Sequence, residues 1–114
     1  MKLADIDFSP YKKAVNVYVT EDGCRCFLGI IAHELGLKVT RNFCYTEENK
    51  LVFAHKILEY LEEFSDLHVD ARNRIAGEIQ WLNDNTDLSF DEIRNKVLKM
   101  ANGLRRNHAA PSAA

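Results

Sequence analysis

Apolar residues recur with a period of two in two short stretches of this chain and with a helical period elsewhere. In residues 14–20, Val15, Val17 and Val19 alternate with Asn16, Tyr18 and Thr20. This pattern predicts a half-buried strand. Residues 37–45 alternate again, with Leu37, Val39, Phe43 and Tyr45 on one face and Arg41 among them, and predict a second strand. Between the two, Cys24, Phe27, Leu28, Ile31 and Leu35 stand at i, i+3, i+4, i+7 and i+11, one continuous helical stripe. Asp22 is placed to cap that helix and Gly36 to end it in a left-handed conformation. Asp22-Gly23 also suits a hairpin turn into residues 24–28, so a short strand ahead of the helix stays open. The strand–helix–strand order admits a parallel pair joined by a crossover helix, and the pairing direction is left open.

Helical periodicity resumes at Thr46, which can cap, with Glu47 and Glu48 at the positive end of the dipole. Over residues 51–64 the inner side is Leu51, Ala54, Ile57, Leu58 and Leu61, widened by Phe53, Tyr60 and Phe64. Residues 65–69 form a break. Asp70 then caps a helix with the stripe Ala71, Ile75, Ile79 and Leu82, and residues 83–87 read as a polar turn. Ser89-Phe90-Asp91-Glu92 is a capping box, with Leu88 and Ile93 placed for a hydrophobic staple. Phe90, Ile93, Val97, Met100 or Ala101, and Leu104 continue that helix, which Gly103 is expected to end. Residues 105–114 read as a disordered tail. The expected architecture is therefore α+β: a small two-stranded, or slightly larger, sheet packed with about four helices, in one domain over residues 1–104.

Composition narrows the setting. The chain has 114 residues, 46% hydrophobic and 28% charged, ordinary values for a globular protein. No apolar run approaches the roughly 20 residues that span a bilayer, and residues 1–10, with Asp5 and Asp7, do not read as a signal peptide. Three cysteines, Cys24, Cys26 and Cys44, make an odd set, which points to reduced thiols in a cytoplasm. The net charge of −2 provides no global field toward nucleic acid or anionic lipid. It is unevenly placed: residues 46–70 hold seven acids against Lys50 and Lys56, whereas residues 94–106 hold Arg94, Lys96, Lys99, Arg105 and Arg106 without an acid. Such segments are solvated helix faces, or else an acidic face and a basic end that orient a partner.

Motifs that would carry chemistry are thin. His33-Glu34-Leu35-Gly36-Leu37 begins like a zinc-protease helix, but position 37 is Leu, so the second imidazole is missing. Cys24 and Cys26 could chelate from a strand but point about 200° apart on a helix, and a tetrahedral site would also need Cys44 and a histidine. Cys26, Gly29 and His33 share the helix side opposite the apolar stripe, where a glycine permits close approach of another backbone or a ligand. A small-ligand or metal site near Cys26, His33 and Cys44 is accordingly one alternative function. A second alternative is a helix-turn-helix DNA regulator. Ile31, Ala32, Leu35, Gly36 and Leu37 fit its first helix and turn, and Lys38, Thr40, Arg41 and Asn42 would open its recognition helix. That reading requires residues 38–46 to be helical. There is no glycine-rich phosphate loop or serine-hydrolase elbow, and the paired carboxylates Glu62-Glu63 and Asp91-Glu92 sit on expected solvent faces or caps. With no convergent polar site legible, the expectation is a non-catalytic protein-interaction module without cofactor or metal. It would bind a protein partner, or a second copy of itself, through the aromatic edge Phe53, Tyr60 and Phe64 and the surface at Cys26, Gly29 and His33.

Overall fold

The two longest helical stripes form the frame of the molecule. The computed structural model describes residues 1–109. In it α3 (Val69–Asn85) and α4 (Phe90–Ala109) pack against each other across the short link 86–89, and α2 (Ala54–Glu59) packs on α3. α1 (Phe27–Glu34) lies against both α2 and α3. The core is their common apolar surface: Phe27, Leu28, Ile30 and Ile31 from α1, Ile57 and Leu58 from α2, Ile75 and Ile79 from α3, and Ile93, Val97 and Ala101 from α4. A 3-10 turn at Leu3–Asp5 seals one end with Leu3, Ile6 and Phe8. Both Glu63 oxygens accept from this turn, Oε1 from the Leu3 N–H at 2.7 Å and Oε2 from the Ala4 N–H at 2.9 Å.

The sheet has three strands in the order β1 (Lys38–Val39), β2 (Cys44–Tyr45), β3 (Leu51–Val52), all antiparallel. Cys44 pairs with Val39 on one side and Val52 on the other. The α+β class and the mainly helical C-terminal part match the sequence, but the sheet is built elsewhere. Residues 14–20 are not a strand. Asn16 sits at φ 63°, which breaks the alternation, and Val15 is 49% exposed. This segment is pinned by separate partners rather than a ladder: isolated bridges join Lys13 and Val19 to Arg25, and the Tyr18 N–H donates to the Arg41 carbonyl.

Residues 37–45 are extended as expected but fold back on themselves. The Thr40 hydroxyl accepts from the Phe43 N–H, and the Thr40 N–H donates to the Phe43 carbonyl at 2.8 Å, closing a hairpin turn. Both ladders of the sheet are antiparallel and join consecutive strands, so among the described residues no crossover helix serves it. Thr46 closes a second turn rather than capping a helix: its hydroxyl accepts from the Lys50 N–H, and Asn49 takes φ 63°. Local side chain-to-backbone bonds of this kind are the usual competitor of helix initiation at Thr. The helix expected over 51–64 is thereby reduced to α2.

The helix ends follow cap chemistry. Cys26, not Asp22, caps α1; Asp22 and Gly23 (φ 87°) turn the chain between Thr20 and Cys24. Gly36 (φ 79°) ends α1 with the paired bonds Leu37 N–H to Ala32 O and Gly36 N–H to His33 O, a Schellman cap. His68 precedes Asp70 as the cap of α3, its Nδ1 accepting from the Asp70 N–H. α3 runs into the expected turn at 83–87 and ends at Asn85. The capping box forms in both directions, Glu92 N–H to Ser89 Oγ and Ser89 N–H to Glu92 Oε1, each at 3.1 Å. α4 then continues through Gly103 to Ala109, so the boundary drawn at residue 104 falls inside a helix. Of the expected tail, residues 110–114 lie outside the described residues. Among the described residues no helix is long and apolar enough to cross a membrane.

Gly29 shows why α1 sits where it does. A Cβ there would lie 2.1 Å from the Tyr18 carbonyl oxygen, so the close approach allowed by this glycine is filled by the chain's own backbone. Gly29→Ala is expected to cost about 3 kcal/mol, because a backbone atom cannot swing aside. Ser89→Ala should cost about 1 kcal/mol, the value of one N-cap. Urea midpoints of the two variants measure both, and a Gly29→Ala protein as stable as the parent would contradict the packing described.

Candidate functional site

Register and burial separate the two faces of the sheet. Val39, Cys44 and Val52 face the core, with Cys44 fully buried. Lys38, Tyr45 and Leu51 occupy the opposite face, where Tyr45 pairs with both of the others. Phe43, one position before β2, and Phe53, one position after β3, keep the same parity and lie on this outer face. Phe43 is 49% exposed, Leu51 42% and Phe53 62%. The Phe43 and Tyr45 rings lie 6.3 Å apart, within aromatic contact range, and the Phe53 ring lies parallel to that of His55 at 6.4 Å. The outcome is a row of apolar side chains on a sheet whose inner face is already packed.

The expected aromatic edge is therefore divided. Phe53 and Tyr60 are exposed, but Phe64 is completely buried in the core and leaves the candidate surface. A turn, not helix, follows α2, and it brings Leu61, Phe64 and Leu67 inward, all three buried. The surface expected at Cys26, Gly29 and His33 is not formed either. Gly29 is covered by Tyr18, Cys26 is a helix cap, and only His33 stands exposed, edge-on to Tyr11 at 6.2 Å. Lys38, Thr40, Arg41 and Asn42 lie in a strand and its hairpin turn. The recognition helix required for helix-turn-helix binding is absent from residues 38–46. Lys38 Nζ is engaged in the neighbouring loop, donating to the Glu47 carbonyl at 3.3 Å and to Asn49 Oδ1 at 3.1 Å. Phe43 and Tyr45 stand at alternating positions in the sequence, whereas Leu51 reads there as part of a helical stripe; that all three face outward depends on where the core lies.

The charged segments also meet within the chain. Arg105 donates to both oxygens of Asp66 and to the Glu63 carbonyl, joining the basic end of α4 to the acidic segment. The Asp66 carboxyl is held below the usual carboxylate range, chiefly by its hydrogen bond from Arg105.

Behind the sheet, Tyr18, Cys26 and Cys44 form a low-polarity group. Burial pushes both thiols up to about 11, and burial together with the two neighbouring thiols pushes Tyr18 up to about 12. Cys26 Sγ accepts from the Gly29 N–H at 3.3 Å, which favours the thiolate but does not outweigh desolvation. The neutral thiols act as packing groups rather than nucleophiles. Among the described residues no three His, Cys, Asp or Glu side chains are placed to hold a metal ion. Comparison with protein-family models, with curated proteins and with solved structures finds no match to this chain.

Raised thiol values in the folded state have a defined consequence. The folded chain retains protons at Cys26 and Cys44 that the unfolded chain releases near pH 9, so this contribution is complete below pH 9 and lost as pH rises through about 11. Stability should therefore decline across that window, and less steeply in Cys26→Ser/Cys44→Ala. Denaturant titrations at stepped pH, with iodoacetamide labelling at pH 8, test this. Rapid labelling of Cys26 or Cys44 in the folded protein would contradict it.

Proposed function

We propose that this protein is a non-catalytic protein-interaction module, of the adaptor, inhibitor or regulator kind, that binds its partner on the outer face of the hairpin sheet. The supporting observation is the row Phe43, Tyr45, Leu51 and Phe53, with Tyr60 exposed at the end of α2. Exposing several large apolar groups in one contiguous place is costly unless something covers them. Aromatic residues are the side chains most enriched at the centres of protein interfaces. Around this row stand Lys38 and Arg41 near β1 and Glu47 and Glu48 in the β2–β3 loop, a polar rim around an apolar centre. The inner half of the sheet supports the row: Cys44 and Val52 anchor its strands in the core, so little ordering remains to be done on binding.

The test is a paired capture experiment with the parent chain and Phe43→Ala/Phe53→Ala, with and without nuclease, followed by affinity measurement on the isolated partner. Both substitutions are at exposed positions, so stability should change by about 0.5 kcal/mol or less. Partner affinity should fall at least tenfold, as expected for aromatic anchors. Sedimentation of the parent alone tests a second copy as occupant: a concentration-dependent dimer abolished in the variant would name it. Capture that disappears with nuclease would instead indicate base stacking on Phe43, Tyr45 and Phe53. Partner binding unchanged in the variant would overturn the surface assignment.

A further inference from the structure

A cleft of about 300 Å³ opens where the β1–β2 turn meets the C-terminal part of α3. Its volume is at the lower end for small-molecule pockets. Arg41 and Asn42 of the hairpin turn form one wall, and Gln80 and Asp84 of α3 form the other. Between them lie the 16–18 segment and the start of α1 at Cys26.

The walls are tied in place. The Asn16 N–H donates to Asp84 Oδ1 at 3.0 Å, and Asn83 Nδ2 donates to the same oxygen at 2.9 Å. The Tyr18 N–H donates to the Arg41 carbonyl at 2.8 Å, and the Tyr18 carbonyl accepts from the Cys26 N–H at 3.2 Å. Asn16 is held at φ 63°, an uncommon conformation for a residue other than glycine, and here it is fixed by the bond to Asp84. The cleft is thus built from clamped backbone, and filling it needs little rearrangement.

Its charge pattern is specific. Arg41 brings one cation to the lining from the hairpin turn, and Asp84 brings one anion from α3. Among the described residues neither takes part in an ion pair, although Arg72, Arg94 and Arg105 each do. Asp84 receives two neutral donors on Oδ1 and none on Oδ2. A pure anion entering here would meet Asp84, and a pure cation would meet Arg41. A molecule carrying both charges satisfies both. The other polar lining groups are the amides of Asn16, Asn42, Gln80 and Asn83, the Tyr18 hydroxyl and the Cys26 thiol, none of which adds a charge near neutral pH.

We infer that this cleft binds a small zwitterion of amino-acid size, its carboxylate at Arg41 and its ammonium at Asp84. Arg offers a bidentate fork to a carboxylate, and the open Oδ2 of Asp84 is an acceptor for an ammonium N–H. The site replaces the small-ligand alternative centred on Cys26, His33 and Cys44: Cys26 lines the cleft, whereas His33 and Cys44 do not.

The experiment is a calorimetric and ligand-observed NMR screen of free L-amino acids against the full chain, with the N-acetyl and methyl-ester forms of each hit. At least one free amino acid should bind, and removing either ligand charge should weaken it at least tenfold. Arg41→Gln should weaken the free amino acid tenfold while leaving the ester unchanged. Asp84→Asn should do the same for the parent ligand while leaving the N-acetyl form unchanged. Asn keeps an Oδ1 acceptor for the Asn16 N–H, so the fold should persist. Should Asp84→Asn unfold, Arg41→Gln decides alone, since Arg41 is exposed in a turn. No binding by any amino acid, or binding indifferent to the substitutions and to the ligand's charges, overturns the inference.

Discussion

Asn83 is the polar side chain on which the N-terminal third of the chain depends. It is buried near the end of α3, and each of its polar atoms is used. Oδ1 accepts from the Phe27 N–H at 3.0 Å, and Nδ2 donates to the Ala14 carbonyl at 2.8 Å and to Asp84 Oδ1. The Phe27 N–H is one of the groups a helix start leaves without an internal partner, and a buried one must find a partner elsewhere. One amide side chain therefore satisfies the start of α1, a carbonyl of an irregular segment and its neighbouring carboxylate. Without it the Phe27 N–H and the Ala14 carbonyl would both lie unpaired. With it, residues 14–18 can cross α1 without being a strand.

That crossing explains the rest of the local geometry. The Tyr18 backbone lies directly on Gly29, so α1 and the segment above it approach as closely as backbones can. The same Tyr18 peptide reaches Arg41 in the hairpin turn and Cys26 at the helix cap. The sheet, the helix start and the N-terminal segment are thereby fixed together. The charged walls of the cleft and the apolar outer face are two surfaces of this one assembly, supported by the same buried residues.

The uneven charge along the chain also has a structural use. Glu63 accepts from the N-terminal turn through its side chain, while Arg105 brings the end of α4 onto the turn after α2. Arg72, buried at the start of α3, donates to the Leu67 carbonyl and lies 3.6 Å from Glu59 at the end of α2. Charges that look like solvated faces in the sequence close the junctions between short elements. Arg41 and Asp84 close no such junction through an ion pair, and both line the cleft.

Local chemistry determined several features of this protein without help from the rest of the chain. The capping box at Ser89 and Glu92, the left-handed Gly36, the turn at Asp22-Gly23 and the apolar stripes of α3 and α4 each depend on neighbours within a few residues. They are written in the sequence and appear in the structure. The exposed Phe53 and Tyr60 were also named from the stripe they extend. Only the tertiary structure decided that Val15, Val17 and Val19 form no strand, that residues 37–52 make three antiparallel strands, and that Phe64 is buried while Phe43 is exposed. Each of these turns on a distant partner: Asn83 and Asp84 hold Ala14 and Asn16 from nearly 70 positions away. Period-two patterning shows that one face of a segment is apolar. Which face meets the core depends on contacts between residues far apart along the chain, and no local rule encodes them.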